Sequence, residues 1–203
     1  MLHEIMMHIH RKWINKETIS DKTLKDIVSN SLYLPFANTM ILDAVEKETL
    51  DSVKAYVKQN KEDADRMIAA EMDINIELEG SISVNGRIDL IKTVDNNGKE
   101  KVAIVDLKSA NKNAEQCLNE EQLKIYALGY RGMTGEDADI LMIYNLDHPD
   151  GSANEMELIE KDKLAETEKH IVIAANNIRN ANLPRNEGHK CEKCFSKNLC
   201  KSS

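Results

Sequence analysis

Aspartates and a lysine at the ends of apolar strands are the residues of this chain best suited to chemistry. Gly86-Arg87-Ile88-Asp89-Leu90 is followed, after a polar turn, by Val102-Ala103-Ile104-Val105-Asp106-Leu107-Lys108. A divalent cation that hydrolyses a phosphodiester needs hard oxygen ligands held rigidly, and carboxylates at strand ends supply them. Asp89 and Asp106 are the candidates. Period-two alternation puts Asp106 and Lys108 on one face of their strand and turns Leu107 into the core. The ammonium can then orient or polarise an attacking water, or hold charge on the phosphate, while the cation lowers the water's pKa. Leu107 can still lend its backbone carbonyl as a ligand. An Asp-x-Lys triplet by itself more commonly marks a solvated strand end. An acid inside Ile88-Asp89-Leu90-Ile91, however, is expensive to bury unless it binds a cation or a partner.

The elements that must position these groups follow from periodicity. Leu2, Ile5, Met6, Ile9, Trp13 and Ile14 recur at helical spacing over residues 1–16, with His3, Glu4, His8 and His10 between them. Ser20 or Asp21 can cap a second helix through about Ser31, and Asn38 or Thr39 a third from Met40 to about Gln59. From Met67 to Leu78 the period changes to two, with Met72, Ile74, Ile76 and Leu78 alternating, which predicts a strand turned by Glu79-Gly80. Ser81–Val94 reads as a second strand, 95–98 as a hairpin loop, and Lys101–Leu107 as a third strand buried on both faces. A helix over about Ala114–Tyr130, strands over Ala138–Leu146 and Asn154–Ile159, and a final helix over Lys161–Ala181 complete the pattern. Helices, a three-stranded meander, a helix and two more strands describe an α/β sandwich with a central mixed β-sheet flanked by helices. Glu71 opens the first strand, either flanking the metal site or solvated.

Composition sets outer limits. The chain has 203 residues, 41% hydrophobic and 31% charged, enough for one well-packed domain. Its parts are a helical N-terminal segment 1–66, a catalytic sheet core 67–160 and a C-terminal helix and tail 161–203. No window approaches a membrane span, and charges and histidines occupy the place of a signal peptide's apolar core. A soluble, cytoplasmic protein is expected. The net charge of −8 argues against non-specific coating of nucleic acid, while leaving room for a nuclease with a local basic groove. Cys191-x2-Cys194-x5-Cys200 clusters three of the four cysteines in the tail, a pattern that in a reducing compartment suits a metal or cluster better than disulfides.

Taken in order, Gly86-Arg87-Ile88-Asp89, Asp106-Leu107-Lys108 and Gln122-Leu123-Lys124-Ile125-Tyr126 resemble the PD-(D/E)XK nuclease superfamily in its RecB/AddB-like branch. That branch includes CRISPR-associated adaptation exonucleases and the C-terminal nuclease domains of UvrD-type helicases. The resemblance implies a restriction-endonuclease-like fold and metal-dependent DNA cleavage with Mg²⁺ or Mn²⁺. His3 matches the branch's helix histidine and would join Asp89, Asp106 and the Leu107 carbonyl as metal ligands. Lys108 would activate water, and Gln122 and Tyr126, one helical turn apart, would position DNA and the lysine. Cys191, Cys194 and Cys200 match the cysteines that in many members hold a [4Fe–4S] cluster. Their fourth partner in those members lies upstream of the histidine helix, so the cluster would take a ligand from elsewhere, and the chain would be a fragment or one subunit of a larger assembly. Zn²⁺ on His189 and the three cysteines is one alternative and a tail without bound metal another, and Cys117 is poorly placed to substitute.

The functional expectation is thus a DNA nuclease acting on single-stranded ends or flaps, together with a helicase or another subunit of a repair, recombination or CRISPR-type assembly. A catalytically silent nuclease-like module that binds DNA or a partner is the alternative. A zinc-stabilised regulatory domain is the third reading, and it would leave the Asp106/Lys108 and Gln122/Tyr126 spacings as coincidences.

Overall fold

A computed structural model describes residues 2–108, 116–146, 155–183, 188, 191–192 and 194–197. The N-terminal part is helical: α1 (Leu2–Ile14), α2 (Asp21–Ser31) and α3 (Thr39–Asn60), followed by a 3-10 turn over Lys61–Arg66 that the periodicity does not signal. Of the two capping candidates for each later helix, the backbone selects Ser20 and Asn38. Their side chains accept the amides of Thr23 at 3.1 Å and Ile41 at 2.9 Å, each satisfying one of the orphan donors of a first turn. Ile5, Met6, Ile9 and Trp13 form the buried stripe of α1, as a one-sided amphipathic helix requires.

Five strands follow the order β1-β2-β3-β4-β5 in a single mixed sheet. β1 (Met67–Leu78), β2 (Ile82–Asn96) and β3 (Lys99–Lys108) form the antiparallel meander. β2 and β3 pair as far as Asn96 with Lys99, so the expected four-residue loop is a two-residue turn. Asn97 and Gly98 both have positive φ, 56° and 78°, the conformation that an Asn-Gly hairpin turn requires. Helix α4 (Gln116–Thr134) crosses over to β4 (Ile140–Asn145), which pairs parallel with β3, and β5 (Glu155–Leu158) adds antiparallel to β4. The α4 start expected near Ala114 lies outside the described residues. The helix runs past the expected Tyr130 to Thr134, where Gly135 (φ 76°) ends it. Helix α5 spans Lys161–Arg179.

The sheet separates two apolar cores. On one face α1, α2 and α3 bury Ile5, Ile9, Trp13, Val28 and Tyr56 against Leu90, Val105, Leu107 and Tyr144. On the other, α4 and α5 bury Leu123, Tyr126, Ala127 and Leu164 against Ile74, Ile88, Ile91 and Ile104. Alternation along β3 divides its residues between the two, Leu107 going to the first core, so Asp106 and Lys108 face α4.

Candidate metal centre and catalytic cluster

The site lies where β1, β2 and β3 meet the start of α1 and the middle of α4. Along β2, Ile88 packs in the α4-side core and Leu90 in the α1-side core, so period-two alternation breaks at Asp89. The residue opposite, by the register of Ala70 with Leu90 and Met72 with Ile88, is Glu71. Glu71 has a φ of 52°, left-handed backbone that costs a non-glycine residue on the order of 1–2 kcal/mol. Local irregularities of this kind re-aim side chains beside functional sites. Here the result is convergence: ligand atoms of His3, Glu71 and Asp89 all lie within 4.8 Å of one another.

Hydrogen bonding orients the central carboxylate. The Leu107 amide donates to Asp89 Oδ2 at 2.8 Å, while His3 Nδ1 lies 3.4 Å from Asp89 Oδ1. Asp89 is thereby fixed across the β2–β3 pair with one oxygen turned to α1. The hydrogen bond to Asp89, reinforced by the negative charges of Asp89, Glu71 and Asp106, holds the His3 imidazole above its usual pKa range against the opposing effect of burial. Burial, with repulsion from Asp89, pushes the Glu71 carboxyl up. Three acids crowding one imidazole is an arrangement that seeks positive charge.

Asp106 carries the second half of the site. Its side chain is 3% exposed, and Lys108 Nζ stands 2.8 Å from Oδ2. The contact is an ion pair, and Oδ2 accepts no hydrogen bond. Burial raises the Asp106 carboxyl above the usual carboxylate range, although Lys108 pulls it the other way. The lysine continues into α4: Lys108 Nζ donates to Gln122 Oε1 at 3.4 Å, and Gln122 Nε2 donates to the Tyr126 hydroxyl at 2.6 Å. Tyr126 is nearly buried, and a Cβ on Gly86 would sit 3.3 Å from its Cε1. The glycine in the strand interior thus gives the tyrosine ring its place, a use the sequence signals only as an anomalous glycine in β2.

The donor set fits a hard divalent cation. A buried carboxylate oxygen without a hydrogen-bond donor, a second carboxylate with one oxygen left to an imidazole, and a third acid within reach are groups that a cation would satisfy together. His3, Asp89, Asp106, Lys108, Gln122 and Tyr126 come together in one region, with the Leu107 amide bound to Asp89. His8 is exposed, and His10 is buried under Tyr56, its Nε2 2.8 Å from the hydroxyl. Sequence spacing does not anticipate Arg87, which bridges Asp73 at 2.6 Å and Glu71 at 3.7 Å at the rim of the site. In the tail, Cys191 is half-buried and Cys194 exposed. Cys200 and His189, and the side chain of Cys117, lie outside the described residues.

No curated protein matches the sequence. Among solved structures the chain is similar to SSO0001, with 16% identity over 98% of this chain and 82% of that one and a TM-score of 0.39. It is also similar to a "Putative exonuclease" from Eubacterium rectale, with 12% identity over 99% of this chain and 75% of that one and a TM-score of 0.49. The family model of the PD-(D/E)XK nuclease superfamily matches residues 1–201, and the five-stranded mixed sheet with flanking helices is that family's restriction-endonuclease-like architecture. The chain therefore belongs to the PD-(D/E)XK nuclease superfamily.

Proposed function

We propose that this nuclease is a metal-dependent deoxyribonuclease acting on single-stranded ends or flaps, with residues 1–203 forming one nuclease domain. The observation that carries the reading is the continuous line Asp106–Lys108–Gln122–Tyr126 beside the His3–Asp89 pair. Asp89, Asp106 and His3, with the Leu107 carbonyl, would hold Mg²⁺ or Mn²⁺. When bound, such an ion supplies Lewis acidity at the scissile phosphate and lowers the pKa of a coordinated water. The protein's own groups supply position. Lys108 presents its ammonium beside Asp106, where it orients the attacking water and balances charge on the phosphate. Gln122 fixes the lysine by accepting its hydrogen bond, and Tyr126 fixes Gln122 in turn by accepting one from its amide. A reactive group held by a chain of partly buried partners loses little orientation when substrate arrives.

The test is cleavage of end-labelled single-stranded, flapped and blunt duplex DNA with Mn²⁺. Cutting of single strands and flaps in preference to blunt duplex, abolished by chelator, is the expected result. Activity that persists in chelator would remove the metal from the mechanism.

The finer context also belongs to this proposal. No helix among the described residues is long and apolar enough to cross a membrane, and the reading assigns the protein to the cytoplasm. There it works with a helicase or another subunit of a DNA-processing assembly. The Cys191, Cys194 and Cys200 spacing is the ground for proposing a [4Fe–4S] cluster in the tail, with Zn²⁺ as the alternative. A brown absorbance in protein purified without oxygen would support the cluster, and a colourless, zinc-positive sample would replace it.

A further inference from the structure

We infer that Glu71 is a direct ligand of the cation, so that His3 on α1, Glu71 on β1 and Asp89 on β2 grip it from three elements. The inference rests on the metal-dependent nuclease reading and extends its ligand set beyond the residues the motif spacing supplies. The first ground is geometry: one ligand atom from each of the three residues falls within 4.8 Å of the others. The second lies outside that trio. Asp106 is 2% exposed, and its Oδ2 has no hydrogen-bond donor, while its carboxylate is within electrostatic reach of both Asp89 and His3. That oxygen is paired with the Lys108 ammonium at 2.8 Å yet accepts no hydrogen bond, and a buried carboxylate oxygen so incompletely satisfied points to a further cationic ligand.

The partners around the trio divide in a way that leaves it available. Asp89 spends Oδ2 on the Leu107 amide and keeps Oδ1 towards His3. Arg87 makes its short contact, 2.6 Å, with Asp73, and only a loose one, 3.7 Å, with Glu71. A cation arriving between the acids would take over the charge balance that Arg87 provides, leaving the guanidinium to Asp73. An imidazole among oxygen donors also shifts metal preference. Mg²⁺ favours oxygen ligands in near-ideal octahedral geometry, whereas transition metals accept imidazole readily, so the trio favours Mn²⁺ over Mg²⁺.

The experiment is calorimetric titration of MnCl2 into the full chain, for the native sequence, Glu71→Gln and Asp73→Asn, with Mn²⁺-dependent cleavage of single-stranded DNA by the native sequence measured alongside. Glu71→Gln is expected to weaken Mn²⁺ binding at least tenfold without shifting the thermal unfolding of the metal-free protein. Asp73→Asn is expected to leave affinity within twofold. Should Glu71→Gln not fold, Glu71→Asp replaces it, with the same loss expected because the shorter arm withdraws the carboxylate. Unchanged Mn²⁺ affinity in the Glu71 variant overturns the inference, and if the native protein still cuts DNA the nuclease reading survives. A native protein that binds Mn²⁺ through Glu71 and cuts no DNA would have the opposite meaning: the ligand stands and the nuclease reading falls. No Mn²⁺ binding by the native protein overturns the inference outright.

Discussion

The two faces of the sheet position the groups proposed for catalysis by different means. On the α4 side the core is largely aliphatic, built from Ile74, Ile76, Ile88, Ile91 and Ile104, and α4 comes so close that a Cβ on Gly129 would lie 2.3 Å from the Ile74 side chain. Gln122 and Tyr126 are placed by that contact. On the α1 side the core is aromatic and partly polar. His10 meets the Tyr56 hydroxyl, Tyr56 and Tyr144 pack edge to face at 5.2 Å, and Asn60 donates to the Tyr144 hydroxyl at 2.9 Å. Lys92, 6% exposed, pairs with Asp63 at 3.1 Å. His3 rides on the helix that this network anchors. One face therefore depends on shape and the other on the protonation and pairing of buried polar groups.

Acid should break the α1 face first and hardest. Burial depresses the His10 pKa from 6.5 to about 3, and Nδ1 has no hydrogen-bond partner, so folding keeps the ring neutral. Between those values the unfolded chain binds a proton that the folded one refuses, and stability falls as pH drops. The slope from this group is about 1.4 kcal/mol per pH unit below about 6.5. Urea unfolding at pH 7 and pH 5 measures it; a His10→Gln variant that keeps the full acid slope would shift the cause elsewhere.

Volume should break the α4 face next. Gly129→Ala is expected to cost about 1–3 kcal/mol from overpacking against Ile74, offset in part by the roughly 1 kcal/mol that alanine gains over glycine in a helix. The loss should be independent of pH between 5 and 7, which the same urea series checks. A smaller effect sharpens the polar side: Tyr56→Phe removes the His10 hydrogen bond and should cost about 1 kcal/mol. Smallest in stability is Gln122→Ala, expected near zero because the side chain is only half-buried, yet roughly tenfold or more in cleavage rate, since it frees Lys108 from its acceptor. A thermal melt and a single-turnover assay on one preparation separate the two quantities.

Much of this arrangement was legible in the residues. The β1 limits, Met67–Leu78, follow the Met72-Ile74-Ile76-Leu78 alternation, and the Gln122 and Tyr126 pairing follows from one helical turn of spacing. Choosing among His3, His8 and His10 was harder, because a repeat of seven puts His3 and His10 near one face of α1. What separates them is tertiary: His10 lies two turns further in, beneath Tyr56, while His3 reaches Asp89. Glu71 was ambiguous for a different reason. Its direction depends on a left-handed backbone conformation in a strand, which glutamate's own preferences do not signal. The Asn97-Gly98 turn was blurred by its polar flanks, Asp95 and Asn96, which read as loop and are strand.

The proposed mechanism requires Asp106 and Lys108 to act together in cleavage rather than merely to close β3. Single-turnover hydrolysis of labelled single-stranded DNA in Mn²⁺ by the native protein, Asp106→Ala and Lys108→Ala, each confirmed folded by its thermal melt, tests it most directly. Rates at least a hundredfold lower in both variants are predicted, in the range that loss of a preorganised charge in an active site produces. Cutting that survives both substitutions unchanged would contradict the mechanism.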